Sequence, residues 1–159
     1  PRRFGKSVMA NMVGAFFGKA VDSSDLFSKL KISSQEISEK LKKSACKNYQ
    51  EYLNNYNVIY IDFSEIPENC ASYLTYINRI LHGLKKDLNL LFPESCIDMG
   101  DSVWDLLNSI YQQFGQRFIF VLDEWDAVFH MDFITEADKK SYLLFLKSLL
   151  KGRISLPRA

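Results

Sequence analysis

Phe118-Ile119-Phe120-Val121-Leu122-Asp123-Glu124 sets five apolar residues in a row against two adjacent carboxylates. A run this apolar, without alternation or helical period, predicts a strand covered on both faces, as in a parallel sheet. Its acidic end adds chemistry. An aspartate there serves a Mg²⁺ shell beside a phosphate-binding loop, and the following glutamate polarises an attacking water. A solvated turn after a strand gives the same dipeptide, so the pair gains meaning only from what stands far upstream. There Pro1-Arg2-Arg3-Phe4-Gly5-Lys6-Ser7 reads as the back half of a phosphate loop that opens a helix. The pattern G-x-x-x-x-G-K-[ST] places its first Gly one position ahead of Pro1, so the motif is present in part. Arg3, Phe4 and Gly5 bring backbone close to a phosphate, Lys6 reaches the β- and γ-phosphates, and Ser7 holds Mg²⁺. The amides that follow, from Val8 on, sit where a helix N-terminus favours an anion. G-K-S alone also suits a basic turn capping a helix; joined to the acidic strand, in this order, it predicts a P-loop NTPase.

Working outward, Val8, Met9, Met12, Val13, Phe16 and Phe17 recur at helical spacing, with Gly14 and Gly18 as weak points. Val21 to Ile32 reads as a polar connector anchored by Leu26 and Phe27. Ser33-x-x-Glu36 has capping-box spacing and predicts a helix from about Ser34 to Leu53, ended by Asn54 and Asn55. The lysines of that helix read as a solvated face in preference to a nucleic-acid patch. Val58-Ile59-Tyr60-Ile61-Asp62-Phe63 predicts a second buried strand. Asp62 at its end either faces a nucleotide or caps a turn with Ser64, and the turn is the preferred reading. Further helices are expected over Cys70 to Leu91, from a Ser102-x-x-Asp105 cap to Phe114 with Gly115 closing it, and over Thr135 to Lys151. His82 reads as structural, and Trp125 as a packing aromatic in preference to a base-stacking one. Strands separated by helices argue an α/β fold with a parallel sheet, the three-layer α/β/α arrangement of P-loop NTPases.

Composition bounds the alternatives. The 159 residues are 47% hydrophobic and 25% charged, which is ordinary for a globular chain. With 20 basic and 19 acidic residues there is no bulk electrostatic case for nucleic acid or an anionic membrane, so any basic site is local, as at Arg2, Arg3 and Lys6. Cys46, Cys70 and Cys96 have neither C-x-x-C spacing nor a nearby His. Buried thiols in a reducing cytoplasm are expected, not a metal site or a disulfide framework. No apolar run approaches the ~18 residues of a membrane helix, and no leader is expected.

P-R-R-F-G-K-S at the start, L-F-S-K-L-K-I at Leu26 to Ile32, V-I-Y-I-D-F-S at Val58 to Ser64 and F-I-F-V-L-D-E-W-D at Phe118 to Asp126 together resemble the bacterial AAA-ATPase-like proteins. The resemblance spans nearly the whole chain. It implies a P-loop ATPase fold, with ATP in place of GTP and Mg²⁺ as cofactors, Lys6 and Ser7 on phosphates and metal, Asp123 in the metal shell and Glu124 as the base. It also implies that Pro1 to Ala159 is part of one ATPase domain, lacking the strand before the phosphate loop and later strands. Relatives often carry a PD-(D/E)xK nuclease-like region further on, so nucleic acid is expected only through such a region; an oligomer is compatible with the sequence. Three functions remain open: an ATPase motor or switch, a nucleotide-binding module with little hydrolysis, and an ATPase region that gates a downstream nuclease. A base at Glu124 separates the first from the second.

Overall fold

The computed structural model describes residues 5–43, 49–95, 100 and 102–151. Among them are seven α-helices and two strands, an α/β chain with a parallel two-stranded sheet. The chain divides into two units: Pro1–Asp62 with Arg117–Asp123, and Phe63–Gln116 with Glu124–Ala159.

The first unit holds helices α1 (Lys6–Phe17), α2 (Ser24–Phe27), α3 (Gln35–Lys43) and α4 (Tyr49–Tyr52) with strands β1 (Asn57–Asp62) and β2 (Phe118–Asp123). The strands pair in parallel from Asn57↔Phe118 to Asp62↔Asp123. Both expected strands are therefore present, but β1 begins and ends one residue earlier than expected, and Phe118, Ile119, Phe120 and Leu122 of β2 are half-buried where cover on both faces was expected. Phe16 and Phe27 are buried, with ring centroids 5.1 Å apart and edge to face. Such pairs contribute about 0.5–1.5 kcal/mol beyond the area they bury.

Two expectations for this unit are corrected. The connector at 21–32 contains α2 and a 3₁₀ turn at Lys31–Ser33, both too short to leave a periodic signal. The cap of α3 is Ser34, not Ser33: Ile37 N–H donates to Ser34 Oγ at 3.4 Å, while the Ser33 hydroxyl donates to Ser28 O and Leu30 O at 2.6 and 2.7 Å. The 3₁₀ turn thus engages the hydroxyl that the capping box would need. Residues 44–48, in the middle of the long helix expected from Ser34 to Leu53, lie outside the described residues, as do Arg2, Cys46, Lys47 and Cys96.

Asn54 does more than end a helix. At φ 52 it adopts the left-handed conformation that Asn tolerates, and its Nδ2 donates to Gly18 O at 2.7 Å and Val21 O at 2.9 Å. Its Oδ1 accepts from Ser23 N at 3.1 Å, and its own N–H donates to Phe16 O at 2.8 Å. One side chain thereby stitches the end of α1 to the loop after it. Gly18 is a helix stop, not a weak point: a Cβ there would lie 2.7 Å from Gly14 O.

The second unit is helical: α5 (Tyr73–Leu91), α6 (Val103–Phe114) and α7 (Glu136–Lys151), with 3₁₀ turns at Pro93–Ser95 and Ala127–His130. Each helix has a side-chain cap, of which the sequence marked the one at Ser102. Thr75 N–H donates to Ser72 Oγ at 3.2 Å, Asp105 N–H to Ser102 Oγ at 3.1 Å, and Asp138 N–H to Thr135 Oγ1 at 3.2 Å. Gly115 closes α6 at φ 64. Tyr76, Tyr142, Phe63, Leu88, Ile110 and Val128 are fully buried. The two tyrosine hydroxyls are satisfied inside, Tyr76 on Phe63 O and Tyr142 on Trp125 O, both at 2.7 Å. Leu74, Leu143 and Leu150 are exposed, and Tyr76 takes the inward place on α5. No helix among the described residues is long and apolar enough to cross a membrane.

Candidate functional site

Gly5 precedes α1 at φ 72, ψ 20, a left-handed conformation that glycine adopts without steric cost. The first bond of the helical ladder runs from Met9 N to Gly5 O at 2.9 Å, so the N–H groups of Lys6, Ser7 and Val8 lie ahead of the ladder. No acidic side chain occupies the first turn and no side chain caps it. Lys6, Ser7 and Val8 are exposed. This is a helix end whose positive charge no carboxylate of its own neutralises. Arg3 and Phe4 lie outside the described residues.

The direction of α1 follows from its glycines. A Cβ on Gly14 would meet Tyr60 Cδ2 at 3.8 Å and Val58 Cγ1 at 3.9 Å; one on Gly18 would meet Val58 Cγ2 at 3.7 Å. Gly18 also bridges to Tyr56. Advancing along α1 thus means retreating along β1, and the helix runs antiparallel to the strands. From Gly14 back to Lys6 the helix rises about 12 Å, whereas Tyr60 to Asp62 advances about 7 Å. The first turn of α1 therefore stands at the carboxyl end of the sheet. Ligands of open α/β sheets gather at that end.

Asp123 closes β2 there with only 7% of its surface exposed. A buried carboxylate needs partners, and the Tyr60 hydroxyl donates to its Oδ2 at 3.0 Å. The register makes Asp62 the cross-strand partner of Asp123. Paired residues in a parallel ladder point to the same face, so the Asp62 and Asp123 side chains leave the sheet together. The Tyr60 phenol is pushed up to about 12, first by loss of water, then by the bond to Asp123 and by the charges of Asp123 and Asp62. It is a hydrogen-bond donor throughout the working pH range.

Glu124 opens the second unit. It sits at φ 47, half-buried, and its carbonyl accepts from Ala127 N at 2.8 Å to begin the 3₁₀ turn. Trp125 is 48% exposed and meets the Phe129 ring edge-on at 6.1 Å. His82 is exposed on α5. Of the sequence candidates, the structure brings Gly5, Lys6, Ser7, Val8 and Asp123 to one end of the first unit. Tyr60 was missed. Its signal was present, since period two places it on the Asp62 face of β1, but the diagonal to Asp123 depends on a register the sequence does not specify.

No cluster of three or more His, Cys, Asp or Glu able to hold a metal occurs among the described residues. A Mg²⁺ site does not require one: the ion keeps several waters and takes one or two protein oxygens besides phosphate. The Ser7 hydroxyl and the buried Asp123 carboxylate are oxygen donors of the right hardness, and they fit it.

A family model described as Predicted AAA-ATPase matches residues 1–155. No curated protein and no solved structure matches the chain.

Proposed function

The chain belongs to the predicted AAA-ATPase family, and on that premise we propose that it is an ATP-binding and ATP-hydrolysing domain of the P-loop type, its sheet that of a three-layer α/β/α fold. The observation that carries this reading is the shared end of α1 and β2, with a left-handed Gly5, Lys6 and Ser7 at a helix start and a buried Asp123 at the strand end. Arg3, Phe4, Gly5 and Val8 lend backbone to the phosphates, and Lys6 meets the β- and γ-oxygens with its ammonium group. Ser7 and Asp123 hold Mg²⁺, which when bound neutralises charge on the phosphate oxygens. Glu124 accepts a proton from the attacking water at its carboxylate. The choice of ATP over GTP rests on the family description.

Lys6→Ala removes a charge-assisted contact, for which a loss of about 1.5–3 kcal/mol is expected. Mg²⁺-ATP should then bind about 10–150-fold more weakly in calorimetry. Unchanged affinity in a folded variant rejects the phosphate site. The rival reading, a module that binds without turnover, is decided by Glu124→Gln, which keeps shape and removes basicity. Hydrolysis is expected to fall about 10²–10⁴-fold with ATP still bound; a wild-type rate leaves Glu124 no role as base.

A further inference from the structure

Tyr60 is placed oddly for a structural tyrosine. It is 38% exposed, yet its polar tip is spent on a carboxylate that is only 7% exposed. The usual arrangement is the one at Tyr76 and Tyr142, where a buried ring ends on a backbone carbonyl. The ring of Tyr60 faces α1 at Gly14, where a Cβ would stand 3.8 Å from Tyr60 Cδ2. The helix that begins at Gly5-Lys6-Ser7 thus passes over the residue that holds Asp123. Asp62, the cross-strand partner of Asp123, stands on the same face.

Resting on the reading of Asp123 as the carboxylate of the Mg²⁺-nucleotide site, we propose that Tyr60 is its positioning residue: the Tyr60 hydroxyl fixes the plane in which the Asp123 carboxylate meets the metal. Groups that orient a metal-binding carboxylate in this way are typically worth about 10–100-fold in metal affinity. Exposure of the ring fits this role, since the bond requires only the hydroxyl.

The test is Tyr60→Phe, which keeps the ring and removes one O–H. ATP affinity is measured by calorimetry with Mg²⁺ and again in excess chelator, and Mn²⁺ binding in the presence of ATP is followed by electron paramagnetic resonance. The ratio of the two ATP affinities should fall at least 10-fold, with Mn²⁺ affinity falling alongside it, while the chelator value and the thermal midpoint stay near wild type. Placing 4-aminophenylalanine at position 60 restores an N–H donor and should recover most of the ratio. A ratio within twofold of wild type, or loss of the cooperative melt in Tyr60→Phe, overturns the proposal. Asp123→Asn distinguishes the two levels. If it collapses the ratio while Tyr60→Phe does not, only the role of Tyr60 fails; if it also leaves the ratio intact, the metal reading of Asp123 falls, and the Tyr60 proposal with it.

Discussion

Glu124 holds a backbone conformation, φ 47, that costs a residue with a Cβ about 1–2 kcal/mol relative to right-handed space. Strain of this kind persists where surrounding structure enforces it, and it gathers at functional sites. Glu124→Gly should therefore raise unfolding free energy by about 0.5–1.5 kcal/mol in urea titration while hydrolysis falls. A destabilised glycine variant would mean that the Glu124 side chain serves packing. Tyr142 makes a second residue-level case. Burial raises its phenol, and Tyr76, Tyr73 and Asp126 raise it further. A raised phenol binds its proton more tightly in the folded chain, so its contribution is complete below the unfolded tyrosine value of about 10 and drains away as pH climbs beyond it. The Tyr60 phenol, raised to about 12, acts with the same sign. Urea midpoints should hold between pH 8 and 9.5 and drop at pH 11, with a shallower drop in Tyr142→Phe. An equal drop would place the alkaline sensitivity in other groups.

At the level of elements, the Asn54 staple is the feature whose loss should be most visible. Asn54→Gly keeps the left-handed backbone and removes every side-chain bond to Gly18, Val21 and Ser23, for a cost of about 2–4 kcal/mol. A loss below 0.5 kcal/mol would show those bonds to be no better than water. The sequence revealed little of this, because Asn-Asn advertises a turn and says nothing of partners more than thirty residues away. What was readable followed from local pattern. The apolar runs at 58–63 and 118–122 marked both strands, and Ser72, Ser102 and Thr135 show how often a hydroxyl ahead of a periodic segment starts a helix. Ser33 and Ser34 show the limit of that rule: both suit a cap, and the turn at Lys31–Ser33 chose between them. Of the candidate site, Gly5 to Ser7 and Asp123 were legible as motif, whereas Tyr60 required the register of β1 against β2.

For the whole molecule, the α/β class was legible, but the division into two units was not. β2 returns to join residues more than fifty positions earlier in the chain, a pairing that carries no local signature. Among the described residues β1 is the one strand paired with β2, on one side of it. An apolar strand with a second strand on one side only is a template for another chain. A polypeptide of these 159 residues alone is expected to self-associate in sedimentation velocity between 1 and 50 μM, and Phe120→Lys, on that strand, should reduce it. A monomer at all concentrations would show the edge to be covered. The same parallel pairing has a consequence in time. Asn57 leaves the ribosome 61 residues before its partner Phe118, and at about 5–20 residues per second that is an interval of about 3–12 s. Throughout it the nascent β1 has no ladder to join, so the rate of synthesis, not only the final free energy, governs how long Val58 to Ile61 is open to whatever binds an unpaired strand first.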